Sequence, residues 1–402
     1  MITLEEVRQA RQTLAPVLAK TAFSYGPFLS EASGLNVFLK KENLQNTGSF
    51  KLRGAYNKIA KLTHKERLKG VIASSAGNHA QGVAYSAKRF GVQSFIVMPE
   101  ATPLLKINGV KNLGGKVILH GANYDEAYAH ASVYADEHNL TFIHPFADDD
   151  VIAGQGTLAL EMLDVIDDLE VILVPIGGGG LISGVAVAAK AINPSIRIIG
   201  INAAGANAMK NSFHAKTPID SVSVRTIADG IAVRDVSPMT FEYVMKYVDE
   251  IIEVDDEEIA NAILFLIEKQ KLVVEGAGAV GVAALLHSRI PIKSETKVGV
   301  ILSGGNIDVT MLSVIIEKGL IKSSRKMQLI VTLIDKPGSL QKLSTALSAA
   351  NANIVHIDYD RTARSLDYGD AYVSVSLETK GIEHQEQIRM RLRSNGFIFE
   401  EI

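Results

Sequence analysis

Four consecutive glycines, Gly177-Gly178-Gly179-Gly180, stand between an apolar run that begins at Val171 and a helical stretch over 181–191. Glycine loses more conformational freedom on folding than any other residue, so four in a row at a strand-to-helix turn call for a compensating ligand. Their amides can wrap a phosphate at the positive end of a helix dipole. The bland alternative is an uncommitted flexible turn. The run is not a dinucleotide fingerprint, because G-x-G-x-x-G fails in every register, and without G-K-[ST] it is not a P-loop. Residues 171–189 carry no charge, but Pro175 and the glycines break them into buried strand, loop and helix rather than a membrane span.

This unit belongs to a series. From Gly70 onward strand-like runs (71–74, 94–98, 116–119, 142–143) alternate with helical stretches. A second series holds 171–175, 197–201 and 297–302, the last ending at Ser303-Gly304-Gly305-Asn306. The pattern predicts an α/β fold with parallel sheets. The polar, basic segment GLIKSSRKM near 319–327 predicts a linker over 321–327. It separates a region 1–320, with a smaller subdomain at roughly 46–150, from a module over 328–402. In that module strands at 328–334, 354–361, 371–377 and 397–402 and helices at 339–350 and 384–395 give βαββαβ, the ferredoxin-like order.

The formal net charge of −3 and the lack of a basic run argue against nucleic acid or an anionic membrane as partner. With no cysteine, disulfides and thiolate metal sites are excluded. Thr3-x-x-Glu6 reads as a capping box opening an amphipathic helix, not as a signal peptide, so the expected location is cytoplasmic.

Three further features join the glycine loop. Lys51 follows Ser49-Phe50, and a lysine becomes a nucleophile where burial or a neighbouring cation lowers its pKa; most lysines are simply solvated. Ser74-Ser75-Ala76-Gly77-Asn78-His79 follows a strand and opens a helix, where small residues and free amides suit a carboxylate or phosphate, or where Asn78 merely caps. Ser303-Gly304-Gly305-Asn306 also ends a strand, and ligands of open α/β sheets sit at such ends. Glu275 lies near the site or caps a helix. His130, His138 and His144 lack metal-ligand spacing and read as surface or helix residues. Asp255 to Glu258 reads as an acidic first helical turn, and Asp148-Asp149-Asp150 as a loop.

Taken in order, KENLQNTGSFKLRGA (41–55), SSAGNHAQG (74–82), AGQGT (153–157), PIGGGGLISG (175–184), VVEGAGA (273–279) and SGGN (303–306) resemble the fold-type II pyridoxal-phosphate (PLP) enzymes, and within them the threonine dehydratases. The C-terminal module is similar to an ACT domain, with DKPGSL (335–340) at its first turn. The resemblance implies a tryptophan-synthase-β-like catalytic region of two open parallel-sheet subdomains. It implies that Lys51 holds PLP as a Schiff base and removes the substrate Cα proton. Phe50 would lie against the ring, Asn78 bond its ring oxygen, Ser303 face its nitrogen, and Gly177, Gly178, Gly179 and Gly180 cradle the phosphate. Ser74, Ser75, Gly77 and His79 would line the substrate carboxylate site.

The implied reaction is elimination of water from L-threonine, giving 2-oxobutanoate and ammonia, with L-serine giving pyruvate, in isoleucine biosynthesis or threonine catabolism. Serine racemases of the family carry a serine-type acid–base where Ala76 stands, which favours elimination over racemisation. Family metal sites place carboxylates in the region that here reads GINAAGANA (200–208), so no metal is expected. The ACT resemblance implies an allosteric small-molecule effector, with Asp335, Gly338 and Asn353 as candidates, and a homodimer or homotetramer. The alternatives are a racemase or β-replacement enzyme, a non-catalytic PLP or amino-acid sensor, and an ACT module that serves only assembly.

Overall fold

The uncharged runs settle in the middle of a six-stranded sheet. Its order is Phe23–Tyr25, Asn36–Lys41, Lys297–Leu302, Val171–Pro175, Arg197–Ala203, Glu250–Val254. All neighbours pair in parallel except the first two, which are antiparallel. Every residue of Val171–Pro175 is buried, as a strand covered on both faces requires, and this explains why the run is continuous rather than alternating. A second sheet, Lys116–Leu119, Ser94–Met98, Val71–Ser74, Thr141–Phe142, is wholly parallel. The computed structural model describes residues 1–402, and both sheets lie in its first unit, Met1–Ile307. No helix is long and apolar enough to cross a membrane.

Three helices, Lys51–Lys61, Asp149–Leu163 and Gly180–Ile192, touch through their backbones. A Cβ on Gly154 would stand 2.6 Å from the Arg53 carbonyl oxygen, and one on Gly184 2.2 Å from that of Ile152. Backbone atoms cannot yield as a side-chain tip can, so AGQGT is a packing device between helices. Asp148, Asp149 and Asp150 do not form a loop. The Asp148 carboxylate caps the middle helix, accepting from Asp150 N (2.9 Å) and Val151 N (3.1 Å), and the next two acids fill its first turn, where the dipole favours them.

Arg53, two residues after Lys51, is completely buried. It donates to Glu42 (2.8 and 2.9 Å), to Glu161 (2.5 and 2.9 Å) and to Thr157 Oγ1 (3.0 Å). Lys40 Nζ adds a 2.6 Å contact to Glu161. Burial opposes the guanidinium charge, but the two carboxylates outweigh it and hold Arg53 above its ordinary pKa.

The second unit spans Asp308–Ile402. The boundary expected within 321–327 falls instead before the helix Val309–Lys322, and those residues hold the helix end and the start of strand Lys326–Ile334. Residues that read as a polar linker are the helix C-terminal turn, with Lys322 where the dipole favours a cation and Ser324 at φ 55° turning the chain. The sheet order is Asn353–Asp360, Asp370–Glu378, Lys326–Ile334, Ile398–Glu401, all antiparallel. Helices Ser339–Ala349 and Ile382–Ser394 complete βαββαβ, the ferredoxin-like arrangement. Alternate residues Met327, Leu329, Val331 and Leu333 pack with Leu343, Leu347, Ile388 and Leu392 in one core.

Candidate active site

Lys51 opens its helix because the preceding residues are pinned. Ser49 forms an antiparallel bridge with Gly304, Phe50 N donates to Ser303 O (3.0 Å), and Gly305 N donates to Gly48 O (2.9 Å). Two segments 255 residues apart, each read as a site from sequence, are thus one short ladder at the end of strand Lys297–Leu302. The helix Asn78–Arg89 lies against this corner, with Gly82 so close that a Cβ would reach 3.2 Å from the Lys51 backbone.

Lys51 Nζ donates to Pro145 O at 2.9 Å and lies 5.3 Å from the Phe50 ring centroid. Part of the side chain is exposed, yet burial of the ammonium lowers its pKa to about 8, against the pull of Glu275. A substantial fraction is therefore neutral, and nucleophilic, at mildly alkaline pH.

The segment 143–147 is the hub that sequence reasoning missed. Ile143 O bonds His79 Nε2 at 2.7 Å, Pro145 O bonds Lys51, and Phe146 packs on the glycine loop. His144, expected on the surface or in a helix, folds back inside this loop. Its Nδ1 accepts from Phe146 N (3.2 Å) and Ala147 N (2.7 Å), which fixes a neutral ring with the proton on Nε2. Burial, then the Lys51 charge, lowers His79 to about 3 and His144 to about 4, so both rings are neutral at pH 7. The available sequence signal was position: these residues follow the last strand of the smaller sheet, at its carboxyl edge.

The glycine loop needs its glycines. A Cβ on Gly178 would sit 2.4 Å from the Phe146 ring and one on Gly177 2.8 Å from Ile231, while Gly179 turns at φ 87°. Thr240 Oγ1 donates to Gly178 O (2.7 Å) and holds the loop from the other side. The first-turn amides of helix Gly180–Ile192 have no intrahelical partner, and no side chain caps them.

Asn78 Nδ2 donates to Glu275 Oε1 (2.6 Å), and Asn78 Oδ1 accepts from Asn306 Nδ2 (2.6 Å). Glu275, undecided from sequence, is buried here, and it also precedes the helix Gly276–Leu286. Burial, then the Asp229 charge, raises its pKa to about 7, opposed by the bond from Asn78. Ser75 Oγ accepts from Gly77 N (3.2 Å). Ser303 is buried at its strand end, and Gly77 has open space where a Cβ would be. The Oγ atoms of Ser74 and Ser49 are buried without a partner.

These features fit PLP and an amino acid. A glycine-lined helix N-terminus suits the phosphate, a buried lysine of lowered pKa suits the aldehyde, and orphaned hydroxyls with free space beside Gly77 suit a polar ligand. Within 200–208, Asn207 Nδ2 meets Glu253 at 3.0 Å, and Lys210 Nζ meets the same carboxylate at 3.0 Å.

The effector candidates are not brought together. Asp335 accepts from Tyr359 (2.9 Å) and Arg361 (3.2 Å), and Gly338 at φ 87° caps the next helix. Asn353 bonds Glu378 (2.6 Å) at the far end of the sheet, since it pairs opposite Glu378 while Ile334 pairs opposite Asp370. A cavity of about 500 Å³ in this unit is lined by residues that include Lys336, Gln341, Lys342, Arg391 and Asn395, and by none of the three candidates.

The family model described as pyridoxal-phosphate dependent enzyme matches residues 15–304. The L-threonine ammonia-lyase of Thermotoga maritima is 48% identical over 397 residues, covering 99% of this chain and 98% of that protein. That of Geobacter sulfurreducens is 44% identical, covering 99% of both. Among solved structures, processed threonine deaminase isoform 2 of Solanum lycopersicum aligns with TM-score 0.74 at 38% identity, over 78% of this chain and 88% of that one. Maize serine racemase aligns with TM-score 0.75 at 38% identity, over 80% and 98%.

Proposed function

The chain belongs to the pyridoxal-phosphate-dependent enzymes, and we propose that it is an L-threonine ammonia-lyase, converting L-threonine to 2-oxobutanoate and ammonia. The observation that carries this reading is the 143–147 segment, which joins Lys51 to the glycine loop and so brings a candidate base beside a candidate phosphate cradle. The relatives named for this reaction match the second unit as well as the first.

PLP bound there supplies an electron sink for the carbanion formed when the Cα proton leaves. Lys51 would hold the cofactor, and its Nζ, neutral in a substantial fraction, is the base placed to accept the substrate Cα proton. Pro145 O orients that amine and Phe50 packs beside it. Amides at Gly177–Gly180 would bind the phosphate. Asn78 would donate to the ring oxygen, and neutral Ser303 would face the ring nitrogen without the charge of a carboxylate. Ser74, Ser75, Gly77 and His79 would line the substrate carboxylate site. Neutral His79 and His144 add no second cation beside Lys51.

Ala76 packs against the core of the smaller subdomain and offers no acid or base to the opposite face of Cα. That favours elimination over racemisation. L-Serine, one methyl smaller, enters the same site and gives pyruvate. The second unit acts as an ACT-type regulatory module that binds a small effector and pairs with other copies of the chain. The cytoplasm, with its pool of free amino acids, is the assigned compartment.

The test is release of 2-oxo acid from L-threonine and L-serine by the purified, PLP-loaded protein, with D-serine measured by chiral chromatography. Rapid 2-oxobutanoate formation with little D-serine is expected. D-serine as the main product would overturn the assignment. Titration with single amino acids and nucleotides tests the module, and a flat response to all would remove the regulatory reading.

A further inference from the structure

We propose that Glu275 and Asn306 are positioning residues that lock the Asn78 side-chain amide in one orientation, leaving a single N–H to meet the cofactor ring. The inference rests on the reading of Asn78 given above.

The chain of bonds has only one possible polarity. It starts at Thr47 O, a carbonyl that can only accept, so the Asn306 group facing it at 2.9 Å is the amide nitrogen. The second hydrogen of that nitrogen goes to Asn78, 2.6 Å away, which must therefore present its oxygen. Asn78 Nδ2 then faces Glu275 Oε1 at 2.6 Å. Turning the Asn78 amide over would set its NH2 against that of Asn306, whatever the protonation of Glu275. One Asn78 hydrogen is spent on Glu275, and one remains.

Two glycines of the motifs make room for this chain. Gly48 turns at φ 71°, and a Cβ there would lie 2.5 Å from Asn306 Oδ1. A Cβ on Gly304 would lie 2.4 Å from Glu275 Oε1. The same Gly304 accepts from Glu275 N (3.0 Å), and Asn306 N donates to the Glu275 carboxyl. The bonds therefore join four segments: 47–48, the start of helix Asn78–Arg89, Glu275 and 304–306.

The charge on Glu275 is set by what surrounds it. Asn78 and the Asn306 amide stabilise the carboxylate, as do Lys106, on helix Leu104–Asn112, and Lys51. Asp229, which is itself paired with Lys106 at 3.2 Å, and burial oppose it. Near neutral pH the carboxyl gains and loses its proton, and the charged form draws harder on Asn78 Nδ2.

The test measures PLP affinity of the apoprotein by fluorescence, and the visible spectrum of the bound cofactor from pH 5.5 to 9. The variants are Asn306→Asp, Asn306→Ala, Glu275→Gln, the control Asn78→Ala, and the doubles with Asn78→Ala. Each single variant is expected to weaken PLP by about tenfold, the effect of one lost hydrogen bond. The doubles should bind no worse than Asn78→Ala alone, and Glu275→Gln should remove a spectral transition centred near pH 7. Additive losses in the doubles would overturn the positioning role while leaving the reading of Asn78 standing. No change in Asn78→Ala would overturn that reading itself. Asn306→Asp keeps the size of the side chain but cannot donate, so it reports on polarity even if the alanine variant folds poorly.

Discussion

Replacing Arg53 with methionine tests how firmly the helix that begins at Lys51 is anchored. The substitution keeps an unbranched chain of similar length and deletes five contacts of 2.5 to 3.0 Å. Glu161 retains Lys40 at 2.6 Å, but Glu42, completely buried, keeps only the Thr21 hydroxyl among its side-chain partners. Removing one member of a buried ion pair costs about 3–5 kcal/mol. A unit of 307 residues unfolds with an entropy of about 0.6 kcal/mol/K, so its Tm should fall by about 5–8 °C. Calorimetry of the PLP-loaded protein measures this on the transition of the first unit. The double variant Arg53→Met, Glu42→Gln removes the stranded charge and should recover at least a third of the loss. A drop below about 2 °C, or a double variant no better than the single, would refute the view that the network holds this helix. Turnover per bound PLP should change less than tenfold, because the guanidinium is completely buried among Glu42, Glu161 and Thr157.

Lys51→Ala should lower 2-oxobutanoate release by about 10³-fold or more while the apoprotein melts no lower than the parent, since a desolvated ammonium is lost. Gly178→Ala drives a Cβ to 2.4 Å from Phe146, and equilibrium dialysis should show PLP affinity reduced about tenfold or more. The pH dependence of stability has two opposed parts. The Glu275 carboxyl has a folded pKa of about 7, raised above its unfolded value, so the native state holds the extra proton and stability falls as pH rises from about 4.5 to 7. His79 and His144, lowered to about 3 and about 4, act in the other direction, and stability falls as pH drops from about 6.5 toward those values. Glu275→Gln removes the carboxyl's part and should leave stability rising more steeply with pH between about 5 and 7, which Tm measured across that range would show; an unchanged slope would mean that the carboxyl does not titrate there.

Local signals were readable where a motif depends on its neighbours in the chain. The glycine loop, the strand ahead of it and the helix after it follow from spacing alone, as does the βαββαβ order of the second unit. Lys51, Asn78 and Ser303 were singled out as candidates through the resemblance of their motifs, and the fold brings those motifs to one corner. The hub at 143–147 was not, because nothing in IHPFA marks it; its role comes from three carbonyl and ring contacts to residues far away in sequence. Glu275 stayed ambiguous until Asn78 and Asn306 were seen on either side of it. Arg53 was invisible, since a lone arginine in a helical pattern looks solvated until Glu42 and Glu161 fold over it. The linker was misplaced because a polar helix end and a polar linker have the same composition.

The bridge between Ser49 and Gly304 has a consequence for how the protein is made. Closing a loop of 255 residues costs about 5 kcal/mol of chain entropy, and only contacts formed late can offset it. A nascent chain can build the smaller sheet early, while Lys51 still lacks the strand end that seats it. The protein emerging from the ribosome should therefore stay unable to capture PLP until Asn306 has cleared the exit tunnel. Chains stalled short of that point should remain colourless, and those stalled beyond it should turn yellow within the folding time of a long-range topology.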